Sequence, residues 1–177
     1  MLLNKTLGNN KRNAIWICLT AMFMAFNIVL SSFGVPVPGG RLYLNDIVIC
    51  TAALILDPMA AFIVGGVGAF IGDFLFYPAP MFVSLVTHGL QAIVISYFAR
   101  YTFKNNPVFA SVLGVVLGAI IMVVGYTLGR AFIYGTPEYA ILKMPYQILQ
   151  AILGAGISIL LYWKCNLRQH FIQILKK

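Results

Sequence analysis

Two short polar stripes interrupt an otherwise apolar chain, and their spacing places each on one face of a helix. Ser84, His88 and Gln91 recur at i, i+4 and i+7, with Thr87 beside them. Lys143, Gln147 and Gln150 repeat that spacing and end at Gly154. Tyr126 and Arg130 lie one turn apart, and Asn27, Tyr43 and Asp73 are further polar groups in apolar surroundings. Hydroxyl, imidazole, amide, phenol and guanidinium groups at such positions supply placed donors and acceptors, which is the chemistry of recognition. Bond-breaking would need more. There is no His-Glu-x-x-His, no Gly-x-Ser-x-Gly and no carboxylate pair at fixed spacing on one helix. Ser84 one turn from His88 is too little for a hydrolase. Gly66-Val-Gly68 with Gly72 has the look of a dinucleotide fingerprint, but it follows no strand and lies in an apolar span. With no Gly-x-x-x-x-Gly-Lys loop, the chain has no means of using ATP itself.

The elements that must position these groups are membrane helices. Six apolar stretches, roughly 14–33, 44–57, 58–76, 81–99, 107–135 and 141–163, fill the chain of 177 residues. Hydrophobic residues make up 61% and charged residues 9%, against about 25% charged in a soluble domain. Crossing a hydrocarbon core of about 30 Å takes about 20 apolar residues, so six helices leave no room for a soluble domain. The runs lack two-residue alternation, which excludes barrel strands. The expected fold is an all-α bundle of six transmembrane helices, one integral-membrane domain over 1–177, with no cleaved signal peptide.

Charge supplies the orientation. With the N-terminus in the cytoplasm, the inner side receives Lys5, Lys11, Arg12, Arg100, Lys104, Lys164, Arg168, Lys176 and Lys177, and the outer side only Arg41, Arg130 and Lys143. That asymmetry follows the positive-inside rule and puts both termini in the cytoplasm. The net charge of +8 therefore reads as topology and headgroup contact, not as nucleic-acid binding. Cys18, Cys50 and Cys165 lack metal-ligand spacing and read as small apolar fillers.

Breaks in the chain set the connections. Pro36, Pro38, Gly39 and Gly40 make the first outer loop non-helical. Asp57-Pro58 reads as an N-cap followed by Pro at the first helical position. Tyr77-Pro-Ala-Pro80, Asn105-Asn106-Pro107 and Gly135-Thr-Pro-Glu138 are the other breaks, and Pro145 is placed to kink span 6. The glycines of spans 3 and 5 read as helix packing. On this topology Asp46, Asp73, Arg130, Glu138 and Lys143 lie toward the outer side. The stripes of spans 4 and 6, Tyr126 and Arg130 of span 5, and Asn27 of span 1 then converge on one pocket in the outer half of the bilayer. Tyr43, Phe74, Phe82 and Tyr146 are its expected aromatic walls. Each group has a structural alternative: His88 bonding Gln91, Arg130 pairing with Asp73 or Glu138, Asp46 capping span 2, Asn27 packing between helices.

These features resemble the substrate-binding S components of energy-coupling factor (ECF) vitamin transporters, in the riboflavin-type and hydroxymethylpyrimidine–pyridoxine branch. Gly39-Gly40-Arg-Leu-Tyr-Leu44-Asn-Asp46 resembles the family's Gly-Gly and Leu-x-Asp lead-in to span 2. Leu56-Asp-Pro58-Met-Ala60 through Gly65, Gly68, Gly72 and Asp73 resembles its Gly-rich third helix. Thr87-His88-Gly89-Leu90-Gln91 resembles a Thr-x-x-Lys-Gly-Leu-Glu pattern, with His88 and Gln91 standing where that pattern has charges. Ala21-x-x-x-Ala25 on span 1 matches the motif by which S components dock onto the transmembrane coupling subunit.

The resemblance implies a vitamin binder that is not an enzyme and carries no cofactor. It implies partnership with a transmembrane coupling (T) subunit and two ATPase subunits that hydrolyse ATP, and rotation of the whole bundle as the transport step. The polar inventory favours a small neutral or zwitterionic heteroaromatic ligand: pyridoxine, or the hydroxymethylpyrimidine moiety of thiamine. Riboflavin and pantothenate are the alternatives, Arg130 then holding the pantothenate carboxylate. A membrane scaffold without a ligand is the reading of another class.

Overall fold

The computed structural model of the chain describes residues 9–167, 169 and 171. Lys5, Arg168, Lys176 and Lys177 of the charge count lie outside the described residues, as do the side chains of Lys11 and Arg12.

Among the described residues, six helices are joined by short connections: α1 Asn9–Ser32, α2 Asn45–Ile55, α3 Pro58–Phe76, α4 Met81–Tyr101, α5 Pro107–Tyr134 and α6 Pro137–Lys164. Five are long and apolar enough to cross a membrane. The exception is α2, whose 11 residues span only about 16 Å. Three helices contain a single widened π-helical turn, at Ile63–Val67, Arg130–Tyr134 and Leu160–Lys164.

Local chemistry explains the starts and stops. Asp57 caps α3 by accepting from the backbone N–H groups of Met59 and Ala60, ahead of Pro58. Its carboxylate also accepts from the indole N–H of Trp16, tying α1 to the α2–α3 turn. Asn106 and Thr136 cap α5 and α6 in the same way, each before a proline. The C-terminal end of α2 is closed by α4: Ser96 donates to the carbonyl of Leu56, and Arg100 donates to the carbonyls of Ile55 and Leu56. One side chain thus answers carbonyls that a short helix leaves open.

The first loop is more ordered than its prolines suggest. Gly34–Val37 (β1) and Gly40–Tyr43 (β2) pair as an antiparallel hairpin. Its two-residue turn, Pro38-Gly39, puts Gly39 at φ +79°, where a β-carbon would be strained. Pro36 is tolerated because β1 is an edge strand that needs no N–H there.

Polarity is inside out relative to a soluble protein. Phe26, Val29, Phe82, Val86, Ile120, Val124, Ile148 and Ile152 are exposed, as lipid contact requires. Asn27, Asp46, Ser84, His88, Gln91, Gln147 and Gln150 are buried. Glycines allow the close contacts. Gly114, Gly118, Gly125 and Gly129 of α5 all face α4, and Gly66 of α3 packs on the backbone of Leu85 and Gly89. Cys50 sits in the core, while Cys18 and Cys165 are exposed, so only Cys50 is the filler expected of all three.

Candidate functional site

Beneath the hairpin, α2 through α6 enclose a cavity of about 280 Å³. The half-length α2 helps create it. Asn45 at its N-terminal end reaches the cavity, and the hairpin before it supplies Pro36, Gly39, Gly40, Arg41 and Tyr43 to the lining. Polar lining comes from Asn45, Asp73, His88, Tyr126, Arg130, Lys143, Gln147 and Gln150, and further walls from Tyr43, Tyr77, Tyr134, Tyr139 and the hairpin residues Pro36, Gly39, Gly40 and Arg41.

Of the expected ligand contacts, Tyr43, Asp73, His88, Tyr126, Arg130, Gln147 and Gln150 are brought together here. Three others are not among the lining residues. Asn27 is fully buried between α1 and α3, where its amide donates to the carbonyl of Val64. Ser84 and Gln91 stand behind the wall and orient it. Ser84 donates to Asp73 and shares a hydrogen bond with the Tyr126 hydroxyl. Gln91 Oε1 lies 2.7 Å from His88 Nδ1, and its Nε2 donates to Asp46 at 3.1 Å. His88 is further held by the edge of the Tyr126 ring, centroids 5.1 Å apart.

Asp46 is the hub of this network rather than a helix cap. The N-cap of α2 is Leu44, which makes no side-chain cap bond. The carboxylate of Asp46, 1% exposed, accepts from Gln91 and also from Gln150 Nε2 at 2.6 Å. Gln150 Oε1 in turn accepts from the backbone N–H of Tyr43 at 3.0 Å. One chain of bonds therefore links α4, α2, α6 and the hairpin. Burial raises the pKa of the Tyr43 phenol, with the charge of Asp73 adding to it, so Tyr43 is a neutral donor at the mouth of the cavity.

Arg130 pairs with neither Asp73 nor Glu138. It donates to Gln147 Oε1 at 2.9 Å, with its guanidinium 5.6 Å from the ring centroid of Tyr134. The widened turn at Arg130–Tyr134 changes the rotation of the helix there and carries both side chains to the cavity. The aromatic walls also differ from expectation. Phe74 and Phe82 are exposed on the outside, where a phenyl ring suits lipid better than a polar chamber, and Tyr146 is not among the lining residues. The walls are tyrosines, each with a hydroxyl to offer.

Sequence reasoning missed Asn45, Tyr77, Tyr134 and Tyr139 as lining residues. Lys143 was visible as the first member of the α6 stripe, but its burial was not. It is 2% exposed and donates to the backbone carbonyl of Arg41, pinning the hairpin to α6. Ala21 and Ala25 lie one turn apart on the exposed side of α1.

Known proteins place this arrangement. The structure is similar to that reported under "Structure and mechanism of the S component of a bacterial ECF transporter", with a TM-score of 0.66 and 20% identity, covering 93% of this chain and 99% of that one. A protein of Pyrococcus woesei, described as an "uncharacterized protein in gap 3'region", is 32% identical over 133 residues, 72% of this chain and 87% of that protein. The family described as "ECF-type riboflavin transporter, S component" matches residues 12–167. A match running from the first helix to beyond the last, on a six-helix membrane bundle with an S-component fold, shows that this chain belongs to the ECF-type riboflavin transporter S component family.

Proposed function

We propose that this chain is the substrate-binding subunit of an ECF importer for a small, single-ring, water-soluble vitamin or vitamin precursor, of the size of pyridoxine or hydroxymethylpyrimidine. Members of this family are vitamin-binding membrane subunits that work with a T component and ATPases. The observation that carries the finer reading is the cavity itself. At about 280 Å³ it falls just below the range of about 300–1,000 Å³ typical of drug-sized ligands. A fused three-ring ligand such as riboflavin needs more room than one ring does. Fixed amide, imidazole and phenol groups on rigid helices suit a ligand with several hydrogen-bonding substituents. The ligand enters from the hairpin side, which faces outward with both termini in the cytoplasm. The distribution of basic residues supports that orientation. Ala21 and Ala25 dock the T subunit, their small side chains permitting close helix approach.

The test is a thermal-shift screen of the detergent-solubilised chain against the B vitamins and hydroxymethylpyrimidine. At a hundred times its Kd, a ligand adds about 2.7 kcal/mol, or roughly 5–11 °C in Tm for a chain of this length. Stabilisation by pyridoxine or hydroxymethylpyrimidine is expected. Stabilisation by riboflavin alone would overturn the single-ring assignment, and stabilisation by none would return the chain to a scaffold role.

A further inference from the structure

Two buried cations line the cavity with no acid to answer them. Arg130 is 8% exposed and Lys143 is 2% exposed. Their side-chain hydrogen bonds go to neutral acceptors, Gln147 Oε1 and the backbone carbonyl of Arg41. Among the described residues, neither has a carboxylate within ion-pair distance. The nearby acids bond other groups: Asp73, half-buried in the same lining, with Ser84, and buried Asp46 with Gln91 and Gln150. A guanidinium has five N–H donors and an ammonium three, so most of this donor capacity is unspent. Uncompensated charge away from water is strongly unfavourable unless a counter-charge arrives.

A second observation points the same way. The hydroxyl of Tyr134, also lining the cavity, is buried and has no hydrogen-bond partner. Its ring lies against the Arg130 guanidinium. An acceptor-rich group seated there would complete three donors at once. Gln147, by accepting from Arg130, fixes the plane in which the guanidinium fork is presented.

We infer that the ligand carries an acidic group, a carboxylate or a phosphate monoester, held by Arg130, Lys143 and Tyr134. This rests on the cavity being the ligand site, and it makes the acid-bearing form of a single-ring ligand, such as pyridoxine 5′-phosphate, a tighter binder than the neutral form, which still fits the cavity. Asn45 Oδ1, a buried acceptor in the same lining with no donor, gives the occupant one N–H or O–H to place as well.

Isothermal titration of the full chain in detergent with matched pairs tests this. The pairs are nicotinate and nicotinamide, pantothenate and panthenol, and pyridoxine 5′-phosphate and pyridoxine. In at least one pair the acid is expected to bind ten times more tightly or better. The two carboxylate pairs and the phosphate pair tell which acid the site takes. Arg130→Gln and Lys143→Gln should each weaken the acid more than its neutral partner and shrink that margin to threefold or less. Equal affinity within every pair, or variants that weaken both members alike, overturns the inference while the single-ring reading stands. No binding of any of the six compounds overturns this inference, and the single-ring reading falls with it if hydroxymethylpyrimidine fails to bind as well.

Discussion

Asp46 gives the sharpest test of the buried network, because two substitutions remove different numbers of its bonds. Asp46→Ala deletes both acceptor oxygens and strands the Nε2 donors of Gln91 and Gln150 in the interior. A stranded buried donor costs about 1–3 kcal/mol, so the pair costs about 2–6 kcal/mol. Asp46→Asn keeps the shape and one acceptor oxygen, but sets an NH₂ against the other amide. One bond is lost, for about 1–3 kcal/mol. In a chain of this length each kcal/mol moves Tm by about 2–4 °C, so the alanine variant should melt roughly 4–24 °C lower and the asparagine variant about half as far down. Thermal unfolding in one detergent at one pH reads both. Ligand affinity is the second measurement. Asp46 is not among the lining residues, yet it orients Gln150, which is, and which holds the Tyr43 backbone. Both variants should therefore weaken binding, in the same order. An alanine variant with wild-type Tm, or an asparagine variant falling as far as alanine, would refute the argument that unsatisfied donors set the cost.

Three other outcomes are expected. His88→Ala and Gln147→Ala should each weaken ligand binding at least tenfold, about 1.4 kcal/mol, at normal expression, measured by titration; unchanged affinity in both removes them from the site. Replacing Ala21 and Ala25 with Trp should abolish co-purification with the T subunit while sparing ligand affinity, since both side chains are exposed on α1; retained assembly would falsify the docking role. Gly66→Ala should lower Tm by the cost of overpacking, about 1–3 kcal/mol, because its new carbon would sit 2.8 Å from the carbonyl oxygen of Leu85. Gly156→Ala, with nothing within 4 Å, should leave Tm unchanged or raise it by up to about 1 kcal/mol of helix propensity; equal losses in both variants contradict the packing argument.

What the sequence made legible follows from what lipid demands. The helices show in hydropathy because a span without water must satisfy its own backbone. The cap at Asp57 shows because Asp before Pro leaves few other conformations. The polar stripes show because burying an amide among apolar residues is costly unless it has work. That logic gathered His88, Gln147, Gln150, Tyr126, Arg130, Tyr43 and Asp73, and all seven line one cavity. It could not separate the residues facing the cavity from those standing behind, because Ser84, His88 and Gln91 share a helix face and differ only in depth. The partner of Arg130 was hidden because a single widened turn resets the rotation of α5, and hydropathy carries no trace of it. The burial of Lys143 was hidden for a related reason. A lysine near a helix start ordinarily reaches for headgroups, whereas here the hairpin folds back to meet it.

Away from the chamber, a buried cluster of the interior is mostly apolar. Ile49, Ala53, Leu54, Ala92, Ile95 and Val115 fill the axis of the bundle. The molecule is thus a cup, not a pipe: a solute that has settled among the tyrosines finds a solid apolar plug beneath it. Threading a polar guest through that plug would mean parting the helices that define the fold. Under the proposed function, delivery to the far side falls to movement of the bundle as a whole, driven by the subunits that grip the outside of the vessel.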